Sequence, residues 1–118
     1  MSAILLVEDN KDIRELIGMM LDDEGLHVIE AGSGQQALTH ARGAFPDLVI
    51  TDWTLPDLSG VDLVRRLRAA VQPRTPILVL SGALDARAAV DVGATAYLPK
   101  PFEPDELIGC IRRLLAQR

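Results

Sequence analysis

Residues 4–10 read Ile-Leu-Leu-Val-Glu-Asp-Asn, a short apolar run that ends in two carboxylates. Branched aliphatic residues without polar alternation are typical of a parallel strand that is covered on both faces. Four comparable runs follow along the chain, at residues 26–29, 48–51, 77–80 and 96–98. This pattern predicts five short strands, most of them buried inside the molecule.

Segments with helical periodicity separate these strands. The first carries apolar residues spaced as on one helix face, namely Ile13, Leu16, Ile17, Met20 and Leu21. The third has Val61, Val64, Leu67 and Val71 on one side, with Arg65, Arg66 and Arg68 opposite. Strands and helices that alternate five times predict an α/β fold, a doubly wound parallel sheet with helices on both faces. The fourth helix has room only within residues 84–92, so we expect two turns at most.

The composition excludes several classes of protein. The chain has 118 residues, a net charge of −5 and one cysteine, so we expect a single domain without an internal disulfide. The first apolar run, at residues 3–7, is too short for a signal peptide or a membrane span. The acidic balance argues against direct binding of nucleic acid. We therefore expect a cytoplasmic protein with no membrane partner.

Polar side chains follow four of the predicted strands. Glu8 and Asp9 follow the first strand, and Asp52 follows the third. Ser81 follows the fourth strand and Lys100 the fifth. The carboxyl ends of parallel strands share one edge of a sheet, and ligand sites of such folds lie there. Three carboxylates, a hydroxyl and an ammonium should therefore meet, although they are far apart in sequence.

The chemistry of such a cluster points to phosphoryl transfer. Two like charges 4 Å apart repel by about 4 kcal/mol at an effective dielectric of about 20, so the carboxylates must raise a pKa or bind a cation. Oxygen ligands with an incomplete shell suit Mg²⁺. A carboxylate beside Mg²⁺ and a lysine can attack phosphorus and form an acyl phosphate. Ser81 can then donate a hydrogen bond to a phosphoryl oxygen.

Each of these residues also has a simpler interpretation. Glu8 and Asp9 could cap the first helix, and Asp52 could form a turn. Lys100 could be a solvated strand end, and Tyr97 could be ordinary half-buried packing. The combination of these residues favours a functional site, because the simpler interpretations do not predict carboxylates after strands one and three together with a lysine after strand five.

At these residues the sequence resembles the receiver domain of bacterial response regulators. Residues 4–10 resemble the family's first strand and acidic pair, and Asp-Trp-Thr-Leu-Pro-Asp-Leu-Ser-Gly at 52–60 resembles its phosphoacceptor loop. Ser-Gly-Ala at 81–83 and Ala-Tyr-Leu-Pro-Lys-Pro-Phe at 96–102 resemble two later motifs. The resemblance covers nearly the whole chain. It implies the flavodoxin-like (CheY-like) fold, a five-stranded parallel sheet in the order 2-1-3-4-5.

The resemblance also implies roles at the site. Asp52 would be the phosphoacceptor, and Lys100 would neutralise the phosphoryl group next to a cis Lys100–Pro101 bond. Mg²⁺ would be held by Asp9, Asp52 and the backbone carbonyl of Thr54. Glu8 would act mainly through metal-bound water.

Further implied roles concern the switch and the partners. On phosphorylation Ser81 would move toward the phosphoryl group and Tyr97 would turn inward, changing the surface around the fourth helix, fifth strand and fifth helix. A histidine kinase or histidine phosphotransfer protein would donate the phosphoryl group to this domain. A downstream protein target or a fused output domain would respond to it. The segment from Ser81 to Tyr97 is shorter than the family usually shows, so we expect a shortened fourth helix and an unusual output surface.

We therefore predict one receiver domain over residues 1–118, a signalling domain that catalyses only its own phosphorylation and dephosphorylation. Three alternatives remain open: a phosphatase of haloacid dehalogenase type, a flavodoxin-like cofactor binder and a pseudo-receiver that works without phosphorylation. The phosphatase needs a second Asp where this chain has Thr54, and the cofactor binder needs a Gly- and Ser-rich loop where it has Glu8 and Asp9. Trp53 is interpreted as loop packing. The family implies that Thr54 and Ala83 tune the lifetime of the phosphoryl group.

Overall fold

The computed structural model describes residues 2–82 and 86–117, and its strands form one parallel sheet in the order β2-β1-β3-β4-β5. The strands are β1 (Ala3–Val7), β2 (His27–Ala31), β3 (Leu48–Asp52), β4 (Ile77–Ser81) and β5 (Ala96–Pro99). The helices are α1 (Lys11–Asp23), α2 (Gly34–Ala44), α3 (Gly60–Ala70), α4 (Ala86–Asp91) and α5 (Pro104–Gln117). This is the predicted α/β fold with the strand order that the resemblance implied.

The sheet is covered on both faces, which explains the unbroken apolar runs of its central strands. On one face α1 and α5 pack against alternate residues of β1, β3 and β4, around Ile4, Ile50 and Leu78. On the other face α2 and α3 pack against the intervening residues, around Leu5 and Val49. Alternation of side chains along each strand sends successive residues to opposite cores.

Two helical stripes differ from their predictions. In α1 only Ile17, Gly18 and Leu21 are buried, whereas Ile13 and Leu16 are 42% and 61% exposed. The reason is that α5 shares this face of the sheet, so α1 can turn only a narrow side toward the core. In α3 the buried residues are Gly60, Leu63, Val64 and Leu67, so that Val61 and Val71 lie at the margin of the packed face.

Arg68 is a second difference, because it does not lie on a purely solvated face. Its guanidinium donates hydrogen bonds to the backbone carbonyls of Gly93 and Thr75, at 3.0 and 2.8 Å, and to the Thr95 hydroxyl. Burial lowers the pKa of Arg68. The side chain thus ties α3 to the turn between α4 and β5, where Gly93 has a φ of +116°.

The described part of the fourth helix is short, in agreement with the predicted limit of two turns. The described part, α4, has six residues and buries only Ala89. The first residues of the predicted 84–92 segment, together with Ala83, lie outside the described residues. Among the residues that the structure describes, no helix combines the length and apolar content that crossing a bilayer requires.

Candidate functional site

The sheet brings the predicted residues to one edge. Glu8 and Asp9 come directly after β1, and Asp52 is the last residue of β3. Ser81 ends β4, and Lys100 follows β5. The parallel register sets these ends level with one another, since Val7 pairs with Thr51, Asp52 with Leu80 and Ser81 with Pro99. The strand ends that carry these residues therefore lie at one edge of the sheet, as predicted.

Three carboxylates form the acidic centre of this edge. One oxygen each from Glu8, Asp9 and Asp52 lie within 4.8 Å of one another. Glu8 is buried, Asp52 is partly buried and Asp9 is exposed, so the cluster opens to solvent on the Asp9 side. A set of hard, anionic oxygens with one open side is the donor chemistry that Mg²⁺ favours, because this ion keeps several waters. These residues could therefore hold a divalent cation.

Lys100 faces the cluster from the other side. Its ammonium nitrogen lies 3.1 Å from Asp52 Oδ1 and 3.8 Å from Glu8 Oε1. The Lys100 backbone N–H donates to the Ser81 carbonyl at 2.7 Å, which extends the β4–β5 pairing to this residue. The Lys100–Pro101 bond is cis, as the resemblance implied. One cation thus neutralises part of a threefold negative charge, and a net negative charge remains for a metal ion.

Glu8 is the buried member of the three acids. Burial raises the pKa of this carboxyl, and the neighbouring charge of Asp52 raises it further. The backbone N–H of Asn10 donates to Glu8 Oε2 at 3.1 Å and acts in the opposite direction, as does Lys100. A buried acid with a raised pKa beside two others is costly in the absence of a cation, and such a cost is typical of functional sites.

The predicted switch residues lie at the end of β4. Ser81 is buried. Tyr97 is partly buried, and its hydroxyl donates to the Gly82 backbone carbonyl, with the Ser81 carbonyl 3.5 Å away. The phenol is therefore linked to the start of the β4–α4 connection. Thr54 is exposed in the loop after Asp52, and its carbonyl remains a predicted ligand.

Comparison with known families assigns the chain. The model of the response regulator receiver domain matches residues 4–112. The chain belongs to this family. Receiver domains are signalling domains of two-component systems, so membership favours signalling over the phosphatase and flavin-type alternatives, which belong to other families.

Individual relatives agree with this assignment of a receiver domain. The phosphate regulon transcriptional regulatory protein PhoB of Pseudomonas aeruginosa is 39% identical over 117 residues, which is 96% of this chain and 51% of PhoB. The chemotaxis response regulator CheY4 of Vibrio cholerae superposes with a TM-score of 0.90 at 34% identity, covering 97% of this chain and 98% of CheY4. The receiver domain of the sensor histidine kinase PA1611 of Pseudomonas aeruginosa gives 0.88 at 33%, with 98% of both chains covered. The chain spans about half the length of the curated relatives it matches.

Asp57 of the β3–α3 loop has a position that the sequence did not indicate. Asp57 accepts hydrogen bonds from the first two amides of α2, Gly34 N at 2.9 Å and Gln35 N at 3.0 Å. These bonds lower the pKa of Asp57 and tie the loop of this receiver domain to α2. An acid five residues after Asp52 was the available signal, but nothing in the sequence indicates which amides it meets.

Trp53 follows Asp52 directly and is partly buried. It packs beside a small cluster of Val64, Val79, Ala89 and Ala94, which Tyr97 also contacts. A Cβ atom on Gly60 would lie 2.3 Å from the indole ring, so only glycine leaves room for it. The interpretation of Trp53 as loop packing is confirmed, and the packing extends toward α4.

Proposed function

We propose that this receiver domain accepts a phosphoryl group on Asp52 from a histidine kinase or histidine phosphotransfer protein. The observation that carries the proposal is the Lys100 ammonium 3.1 Å from Asp52 Oδ1, facing a cluster of three carboxylates. Asp52 is partly buried at the sheet edge, and its Oδ1 already has a cationic partner. That arrangement supports an attacking carboxylate more directly than a turn-forming one.

In this reaction a carboxylate oxygen replaces an imidazole nitrogen on phosphorus. A carboxylate oxygen of Asp52 attacks the phosphorus of a phosphohistidine, so that an O–P bond forms and the P–N bond breaks. The electron pair of the broken bond stays on the imidazole nitrogen of the donor. Lys100 offsets negative charge on the phosphoryl oxygens, which is the main requirement of this kind of transfer.

Mg²⁺ is the cofactor that the donor set suits. Asp9, Asp52 and the backbone carbonyl of Thr54 would hold the ion, and Glu8 would contribute through bound water. When bound, Mg²⁺ would supply positive charge to the phosphoryl oxygens and relieve the repulsion among the carboxylates. The receiver domain of PA1611 is described with a magnesium ion coordinated in its active site cleft, which supports the same ion here.

The response to phosphorylation is assigned to Ser81 and Tyr97. Ser81 would donate to a phosphoryl oxygen, and Tyr97 would give up its bond to the Gly82 carbonyl and turn inward. The surface of α4, β5 and α5 would then change for a downstream protein or a fused output domain. PhoB, which is about twice as long as this chain, supports a partner of the output-domain kind.

Phosphorylation by a small donor tests the proposal. With acetyl phosphate and Mg²⁺, intact mass spectrometry should detect one phosphoryl group on the wild type and none on Asp52→Asn. Asp57→Asn is a matched control, because it removes a carboxylate from the same loop but one that caps α2. It should still be labelled. Labelling of Asp52→Asn to the wild-type extent would refute Asp52 as the acceptor, and absence of labelling in the wild type would favour the pseudo-receiver.

A further inference from the structure

Arg14 lies behind the acidic pair, on the first turn of α1. Its side chain is only 18% exposed, although it carries a charge on a surface helix. Nη1 donates to the backbone carbonyl of Glu8 at 2.8 Å, and Nε donates to Glu30 Oε1 at 3.1 Å. The guanidinium therefore bridges the β1–α1 turn to the side chain of a residue on β2.

The hydrogen bond from Arg14 to the Glu8 carbonyl acts on the peptide between Glu8 and Asp9. The Glu8 carbonyl belongs to the peptide that joins Glu8 to Asp9, so its direction affects both carboxylates. The preceding N–H of Glu8 is fixed to the Ala31 carbonyl at 3.0 Å, which completes the end of the β1–β2 pairing. On the other side, the N–H of Asn10 donates to Glu8 Oε2. Within the described residues, Arg14 is the side chain that holds the carbonyl between these two anchors.

We propose that Arg14 is a positioning residue for metal binding, which orients the Glu8–Asp9 peptide so that both carboxylates face Asp52. The inference rests on the proposed function. A guanidinium is a rigid planar fork, and two hydrogen bonds from it fix the plane. A lysine ammonium has no such plane. Arg14 is hydrogen-bonded to a carbonyl and to Glu30, which makes orientation its contribution.

Gly32 provides a second way to disturb the same fork. A Cβ atom at this position would lie 3.0 Å from Arg14 Nη1, closer than ordinary packing allows. The backbone of Gly32 is not in the left-handed region, so alanine suits its conformation. Gly32→Ala should therefore push the guanidinium away from the Glu8 carbonyl by a few tenths of an ångström without removing its charge.

Mg²⁺ titrations, read by Trp53 fluorescence or calorimetry, test the inference. Partners that orient metal ligands typically contribute about 10- to 100-fold to affinity. We expect Arg14→Ala and Arg14→Lys to weaken Mg²⁺ binding by about tenfold each, and Gly32→Ala to weaken it less. Labelling of the Arg14 variants by acetyl phosphate should be slower than that of the wild type at limiting Mg²⁺. It should recover toward the wild-type rate at saturating Mg²⁺. Arg112→Ala, which breaks an ion pair with Glu24 on the surface, is the control and should leave the affinity unchanged.

The outcomes separate the two claims. If the wild type neither binds Mg²⁺ nor becomes labelled, the proposed function fails. If the wild type does both and Arg14→Ala binds Mg²⁺ as tightly, only the positioning role is refuted. Wild-type affinity in Arg14→Lys together with loss in Arg14→Ala would also refute it, since charge rather than the planar fork would then matter. Urea unfolding of each variant shows whether it is folded under the conditions of the titration.

Discussion

Replacing Glu8 with glutamine should stabilise the metal-free domain at neutral pH, although it removes a residue of the site. Glu8 is buried and shares a 4.8 Å cluster with Asp9 and Asp52. The substitution keeps the shape of the side chain and an oxygen that can accept from the Asn10 N–H. It removes only the charge, so the change in the free energy of unfolding reports the electrostatic cost of the cluster.

The magnitude follows from the distances. At an effective dielectric of about 20, two carboxylates at the 4.8 Å upper limit of the cluster repel by about 3.5 kcal/mol, and Lys100 attracts Glu8 across 3.8 Å by about 4.4 kcal/mol. The lysine thus offsets the repulsion by Asp52. Two further terms favour the variant: the repulsion by Asp9, which water reduces, and the cost of burying the Glu8 charge. One term opposes it, because a weaker hydrogen bond from the Asn10 N–H costs about 1 kcal/mol. Relief of the repulsion by both carboxylates, about 7 kcal/mol before screening of Asp9, exceeds the lost attraction and the weaker bond, about 5.4 kcal/mol together. Screening lowers this surplus and relief of the buried charge raises it, so we expect a net gain of about 2 kcal/mol, or about 8 °C in Tm.

The gain should depend on pH with a defined sign. The pKa of Glu8 is raised in the folded state, so its charge destabilises the fold above the folded pKa and has no effect below the unfolded one. The difference between Glu8→Gln and wild type should therefore vanish as pH falls below the ordinary value of 4.5. In Mg²⁺ at about 100 times the wild-type Kd, binding adds about 2.7 kcal/mol to the wild type, and less to the variant.

Urea unfolding in the presence of a chelator measures the gain of the metal-free variant and its dependence on pH. A separate series with Mg²⁺ and no chelator measures the effect of the ion. Glu15→Gln is the matched control, since Glu15 is exposed on α1 and pairs only loosely with Lys11 at 3.9 Å. It should change stability by less than about 0.5 kcal/mol. A Glu8→Gln protein that is no more stable than wild type at pH 7, or a gain of unchanged size at pH 4, would refute the electrostatic reasoning.

Three further changes have defined outcomes. Lys100→Ala should slow labelling by acetyl phosphate and tighten Mg²⁺ binding several-fold, because a competing cation is lost; weaker binding in a fluorescence titration would contradict this. Gly60→Ala should cost about 2 kcal/mol through the clash with Trp53 and shift its emission, whereas Gly109→Ala, with open space in α5, should be neutral or stabilising. Asp57→Asn should cost about 1 kcal/mol at pH 7, because an amide has one oxygen and can accept from only one of the two α2 amides. The loss should shrink in acid, since the pKa of Asp57 is lowered and its stabilisation disappears as pH falls; equal losses at both pH values in urea unfolding would count against it.

The fold and the meeting of the site residues could be predicted because each depends on one simple property. Buried parallel strands need unbroken aliphatic runs, and the carboxyl ends of such strands share an edge, so Asp52 and Lys100 meet although 48 residues separate them. No contact between distant side chains had to be known. The short α4 could also be predicted, because it depends only on the length of the segment.

Other features depend on contacts that no local pattern encodes. The exposure of Leu16 follows from the presence of α5 on the same face, and periodicity within one helix carries no information about a neighbouring helix. The bonds from Arg68 to Gly93 and from Arg14 to Glu8 go to backbone carbonyls, which every residue has, so the sequence does not indicate these partners. Hydrogen bonds from side chains to the backbone are therefore visible only in the structure.

The described part of α4 offers little surface for a partner protein to bind. Six residues rise about 9 Å along a helix axis, less than two full turns of side chains, and Arg68 fastens the turn that follows. Under the proposed function, a downstream partner would therefore contact β5 and α5 more extensively than the described part of α4. Exchange of those two elements between family members should transfer partner choice more completely than exchange of α4.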